Sequence, residues 1–517
     1  MFIDYNMNQL ILPLDIEILI PEHYLSRIVN LAVEKMDPNL LLSLYPGGDR
    51  PPYHPKMMLK VLLYAYTNRI YSSRVIAKQL EENIYFMWLS GHQKPDFRTI
   101  NRFRSERMKE VIYETFFSIV DLLREEGWVK LEDYFLDGRK IEANANKYTF
   151  VWRKSTEKYD QKLDEKFQQI VLTIEEATQQ DEQAEREKDL QEKLEEAPIT
   201  SEKIAETVKK LEKRLEQDPK NRTLKKVKRQ LEKDLLPRKQ KYEEQKATLG
   251  ERNSFSKTDK EATFMRMKDD HMKNGQLKPG YNVQIGTEGQ FITGFSLHQR
   301  AGDPGCLIPH FELLEQYNRP KPKALIADSG YGSEENYAYC EEKKIEAYVK
   351  YNTIDKEQTK AWKKQTGRLE NMTYDEELDE WICANNKRLT FTYEKRRKTE
   401  NGYVSTQRTY LCTECPHCPF QSSCAKGKDT KSIAVSLQNQ KQRKEVRDRL
   451  ATAEGKKKYK KRKVEVEPVF GHIKHNRHFS RFSLRGLFKN TADWGLLCIA
   501  HNLKKWETHT KENQKIS

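Results

Sequence analysis

Apolar residues recur at helical spacing through the first quarter of the chain. Lys56 to Tyr66 shows it most clearly, with Pro55 at the start, where a missing N–H costs nothing. Ser72 to Leu80 opens on a hydroxyl cap, and Ile84 to Gly91 follows. Pro95 to Arg104 begins a helix capped by Asp96 and studded with Arg98, Arg102 and Arg104. Short helices ending in an arginine-rich one fit a helix-turn-helix reader of DNA; an ordinary helical bundle with a charged face gives the same pattern.

The period then changes. Tyr134-Phe135-Leu136 is a strand that ends in Asp137-Gly138, with a polar turn at Glu142 to Lys147. Between about 155 and 252, Glu, Lys and Gln dominate. Ile204, Val208, Leu211 and Leu215, then Leu224, Val227, Leu231 and Leu235, keep helical spacing, and Pro198, Pro219 and Pro237 divide the stretch. This predicts a helical hairpin or short coiled coil with a solvated charged face. Gly280–Gly286 and Gln290–Leu297 read as a hairpin, Pro309–Tyr317 as a helix, and Lys323–Asp328 and Ala347–Lys350 as strands. Residues 355–455 read as irregular and polar, with some alternation near Leu389–Tyr393 and Gln407–Leu411. Residues 456–463 are nearly all basic, and a helix over Asn490–Trp506 closes the pattern.

At 517 residues the chain exceeds what one core usually serves. Its net charge of +15 suggests a polyanionic partner, most simply nucleic acid, although a merely basic protein has the same balance. No apolar run approaches the ~20 residues that span a bilayer. Met1 to Tyr5 lacks the basic and apolar regions of a secretory signal, so a cytoplasmic chain is expected. Four of the eight cysteines, Cys412, Cys415, Cys418 and Cys424, fall within thirteen residues. That spacing suits a structural zinc knuckle, with His417 as a spare ligand; unliganded thiols or an iron–sulfur cluster are the alternatives.

Three islands carry candidate chemistry: Tyr134–Gly138, Ala324–Gly332 and Val464–Lys474. Each sets one carboxylate (Asp137, Asp328, Glu467) at a strand end or helix start. Three such acids beside a basic surface can hold two Mg2+ ions and cut phosphodiesters. Glu465 rivals Glu467, and Asp259, Asp269, Asp270 and Asp303 are further acids. Asp303 reads as a turn or cap residue. Tyr281 and Asn282 either pack or contact DNA.

The islands resemble the DDE motif of bacterial insertion-sequence transposases, nearest to the insertion-sequence 1182 group within the wider insertion-sequence 4 superfamily. The resemblance rests on Phe135–Trp152, Lys257–Met265, Tyr281-Asn282-Val283-Gln284, Ala327–Gly332 and Val466–Lys474. It implies an α/β fold: a ribonuclease-H-like mixed-sheet core, an N-terminal all-α domain, a helical or coiled-coil insertion and a Cys-rich insertion. The expected division is 1–130 helical and DNA-binding, 131–154 and 253–354 core, 155–252 helical insertion, 355–455 insertion with the Cys knuckle, and 456–517 basic segment and core helices.

The resemblance also implies that Asp137, Asp328 and Glu467 ligate two Mg2+ ions, with Mn2+ able to substitute. Lys474 would hold a DNA phosphate. Lys463 stands where the superfamily has an arginine and Lys460 where it has a tyrosine, with Tyr459 beside it, so charge is kept but not the bidentate fork. The expected activity is cleavage at element ends and strand transfer into target DNA. The expected partners are terminal inverted repeats, target DNA and a second copy of the chain on DNA, at the bacterial nucleoid. The alternatives are a catalytically inactive DNA-binding descendant and a metal-dependent nuclease without strand transfer.

Overall fold

Thirteen strands and a larger set of helices are seen in the computed structural model, which describes residues 15–45, 53–178, 198–267 and 275–516. The strands are β1 (Asp133–Glu142), β2 (Phe150–Trp152), β3 (Ser254–Ser256), β4 (Thr263–Arg266), β5 (Leu277–Glu288), β6 (Phe291–His298), β7 (Ala324–Ala327), β8 (Glu346–Val349), β9 (Thr373–Asp375), β10 (Glu380–Ile382), β11 (Arg388–Lys398), β12 (Val404–Cys412) and β13 (Lys431–Val435). Met1–Tyr5, Asp269 and Asp270 lie outside the described residues. The chain divides into two units: residues 1–141 with 282–517, and residues 142–281.

In the first unit a mixed sheet runs in the order β6-β5-β1-β7-β8. The β5–β6 pair is the expected antiparallel hairpin, whereas β1, β7 and β8 are parallel neighbours. The central strands are apolar on both faces, as strands covered on both sides must be: all four residues of β7 are buried. The final helix, Leu487–Ile516, packs on β6 and on the N-terminal helices Pro55–Thr67 and Met108–Glu125. Asn502 clamps β6 with both halves of its amide, accepting from Ile292 N and donating to Ile292 O, each at 2.8 Å. The helices of residues 15–130 thus belong to the same unit as the sheet.

The same unit contains a second sheet, β13-β12-β11-β10-β9, antiparallel throughout. This corrects the irregular reading of residues 355–455. Nearly every residue of β11 is exposed, so polar side chains on both faces erase the alternation that marks a half-buried strand.

The second unit is helical, with helices Arg153–Thr178, Ser201–Gln217, Arg222–Gln230 and Leu236–Leu249. Leu163, Phe167, Ile204, Val208, Leu211, Leu231 and Leu235 form its core, at the helical spacing read from the sequence. Pro237 does not divide it as expected. A π turn at Leu231–Leu235 leads directly into the next helix, and Pro237 falls in that helix's first turn, where its missing N–H is tolerated. Among the described residues no helix is long and apolar enough to cross a membrane.

Candidate active site

β1 and β7 pair in parallel register, with Leu136 opposite Ala327 as the last pair. The next residue on each strand is an aspartate. Asp137 and Asp328 are therefore neighbours, on strands about 4.8 Å apart; β1 does not end at Asp137 as expected but runs on to Glu142, so Asp137 lies within its strand and only Asp328 follows a strand end. Asp328 caps the turn Ser329–Tyr331 by accepting Gly330 N–H at 2.8 Å, and Asp137 accepts Gly138 N–H at 2.9 Å.

Burial, and after it the negative charge of Asp328, push the Asp137 carboxyl up to about 6, against the pull of Gly138 N–H, Arg139 and Arg462. Two neighbouring carboxylates form a hard-oxygen donor set, which suits Mg2+.

Glu467 is the first residue of the short helix Glu467–Gly471, which follows helix Ala453–Glu465 after a break at Val466. Its carboxylate lies 3.0 Å from the guanidinium of Arg462, whose charge also acts on Asp137. The Tyr459 ring lies beside Arg462, at 5.8 Å, and feels the charge of Asp328. Arg462 thus pairs with Glu467 and acts on Asp137, while Tyr459 beside it feels Asp328. Among the described residues, however, no group of three or more His, Cys, Asp or Glu is set to hold an ion. The donor chemistry of the acids fits Mg2+.

Arg462 and Tyr459 are what the sequence reading missed. It placed the family's arginine and tyrosine positions at Lys463 and Lys460, and both of those lysines are exposed. The helix turns Tyr459 and Arg462 inward instead, three residues apart on one face. The Tyr-x-x-Arg spacing was the available signal; one extra residue before Glu467 hid it. Lys474 is half-buried, in the π turn His472–Asn476 that follows Glu467.

Beneath the aspartates lies a buried amide floor. Asn282 Nδ2 and Gln284 Nε2 donate to Asp303 Oδ1 at 2.8 and 3.3 Å, Gln284 Nε2 also donates to Asn282 Oδ1 at 3.1 Å, and Tyr331 donates to Gln284 Oε1. Asn282 is therefore a packing residue. Asp303 does begin a short 3₁₀ turn, but its side chain makes no cap bond there and goes to the amides. Gly138 permits the close approach: a Cβ there would lie 2.4 Å from Gln284 Nε2 and 2.7 Å from Asp303 Oδ1.

Two rival acids have other work. Glu465 is buried, accepting Gln290 N–H at 2.8 Å and pairing with Lys461 at 3.0 Å. In the second unit, Asp259 accepts from the buried Tyr281 hydroxyl at 2.9 Å.

Of the three N-terminal arginines, Arg98 and Arg102 are exposed along a groove that Arg74, Ser72 and Asn101 also line. Arg104 corrects the sequence reading. It is buried, donating to Tyr71 O at 2.6 Å and to Asn101 Oδ1 at 2.8 Å, so its guanidinium holds the helices and is not presented to DNA. Cys412, Cys415, Cys418 and Cys424 do come together, lining one small cavity that Cys383 also lines; His417 is exposed outside it.

Residues 382–506 match a family model described as a transposase DDE domain, and residues 14–106 match one described as a transposase domain (DUF772). The first match takes in Glu467 but neither Asp137 nor Asp328. Together the two matches indicate a transposase of the DDE kind. Nothing among curated proteins or solved structures matches the chain.

Proposed function

We propose that this chain cuts DNA at the ends of a mobile element and joins those ends to target DNA, using Asp137, Asp328 and Glu467 in a ribonuclease-H-like core. The observation that carries the reading is the register of β1 and β7, which sets Asp137 beside Asp328. The ion pair that links Arg462 to Glu467 supports it, as do the two transposase matches.

Asp137, Asp328 and Glu467 would hold divalent cations, Mg2+ or Mn2+, with Glu467 exchanging its pairing with Arg462 for that role. Bound there, such cations would supply Lewis-acid stabilisation for phosphodiester chemistry. Arg462 is then free to take a phosphate oxygen with two parallel N–H donors. Lys474, Lys460 and Lys463 add positive charge along the strand, and Arg98 and Arg102 contact duplex DNA from the N-terminal groove. The amide floor packs against Gly138 and so fixes the backbone beside Asp137. No covalent protein–DNA intermediate is required. Two ends must be joined, so the working form is a pair of chains on DNA.

The test is Mg2+-dependent nicking of end-containing DNA, followed by a plasmid integration assay. Asp328→Asn is expected to abolish both activities while end binding survives. Cleavage that persists in this variant overturns the assignment. Cleavage by the unaltered chain without joining would leave a metal-dependent nuclease; end binding with neither activity would leave a DNA-binding protein.

A further inference from the structure

Five of the eight cysteines line a single cavity: Cys383, Cys412, Cys415, Cys418 and Cys424. We propose that Cys383 is a ligand of a structural zinc ion, which it binds together with three of the other four thiols. The sequence alone singles out the four-cysteine cluster and leaves Cys383 scattered, because it lies at the far end of two long strands.

The fold places it opposite the cluster. Cys383 opens the turn from β10 to β11, donating its N–H to Lys387 O at 2.9 Å and accepting Asn386 N–H at 2.9 Å. Two contacts fasten that turn to the cysteine loop. Asn385 Nδ2 donates to the Cys418 sulfur at 3.4 Å, and Lys387 pairs with Glu414 at 2.6 Å. From the other side, Lys431 donates to Cys424 O at 3.0 Å. An N–H donor aimed at a cavity-lining sulfur is the kind of outer contact that orients a thiolate ligand.

The chemistry points to zinc. Soft sulfur donors select it, and four of them close a tetrahedron with no position left for catalysis. All of these cysteines are free thiols, so no disulfide braces this sheet. Its core is thin: Leu389 is the one buried residue of β11, and Met372, Trp381, Tyr410 and Val435 supply most of the rest. A bound ion offsets such a deficit by making metal affinity part of the folding free energy. The thiols line the cavity without closing on a common point. Zinc would draw the β10–β11 turn and the loop after β12 together.

The test uses the full chain and does not depend on transposition. Zinc content is measured by mass spectrometry, and affinity by chelator competition. About one zinc per chain is expected, along with the charge-transfer bands of tetrahedral thiolate ligation after Co2+ substitution. Cys383→Ser should weaken zinc binding on the order of 100-fold, whereas Cys383→His, which still offers a ligand, and His417→Ala should keep it stoichiometric. Full zinc at unchanged affinity in Cys383→Ser overturns the proposal, as does an unaltered chain that takes up no zinc. Should Cys383→Ser fail to fold, alkylation of the unaltered chain decides. Zinc must slow labelling of Cys383, and equal rates with and without zinc overturn the assignment.

Discussion

The Arg462 guanidinium lies 3.0 Å from the Glu467 carboxylate, and its charge also reaches Asp137. One cation of the chain thus partly neutralises the acid cluster that the proposed reaction needs free. Glu467 is half-exposed and Arg462 nearly buried, so breaking the pair moves the glutamate more easily than the arginine. On the proposed function, divalent ions would compete with Arg462 for Glu467.

Arg462→Ala should therefore affect binding and turnover in opposite directions. Removing the competing charge tightens Mn2+ binding several-fold, measurable by paramagnetic resonance. Losing the phosphate fork slows strand cleavage by at least about tenfold, the value of one charge-assisted contact. Lys463→Ala, at the exposed neighbour, should change neither by more than about twofold. Equal effects of the two substitutions would count against the inward role of Arg462.

Asp137 gives a pH dependence whose sign follows from its shift. Its ordinary value of 3.8 becomes about 6 in the fold, so between those values the folded chain binds more protons than the unfolded one. Stability of the metal-free protein should fall as pH rises through that window and level off above it. Asp137→Asn removes the effect and should stabilise the metal-free chain at pH 7.5 by about 3 kcal/mol in denaturant titrations. Mg2+ should then stabilise the unaltered chain and leave the variant nearly unmoved.

Gly138→Ala drives a methyl group into Gln284, Asp303 and the Tyr331 hydroxyl, each under 3.0 Å from the new Cβ. Overpacking of this kind costs about 1–3 kcal/mol. Cleavage should fall further than stability predicts, because the displaced backbone at residue 138 shifts the adjoining Asp137. Circular dichroism melts beside nicking rates separate the two effects.

The N-terminal arginines should divide by burial. Arg98→Ala and Arg102→Ala should leave melting unchanged, weaken duplex binding and lower its salt dependence by about one counterion per lost phosphate contact. Arg104→Ala should instead destabilise by about 2–4 kcal/mol, because it strips a buried charge-assisted network of Tyr71 O, Asn101 and Tyr66. An Arg104→Ala chain with normal stability and weak DNA binding would reverse this division.

The sequence by itself determined the elements that leave a local apolar pattern, either one buried face at helical spacing or a short run buried on both faces. These are the N-terminal helices, the β5–β6 hairpin, the leucine-spaced helices of the second unit and the apolar runs that lead into Asp137 and Asp328. It also marked Glu467, because a helix start after a basic run is a local signal. Only the tertiary structure decided what depends on which way a side chain turns or on which distant strands pair. The turn of one helix put Arg462 and Tyr459 at the acids and left Lys460 and Lys463 outside. Burial took Arg104 and Asn282 away from any DNA, and the pairing of polar, two-sided strands brought Cys383 to the other cysteines. Hydrophobic patterning records burial averaged along an element. The direction of a single polar side chain is set by partners far along the chain, and no local period encodes it.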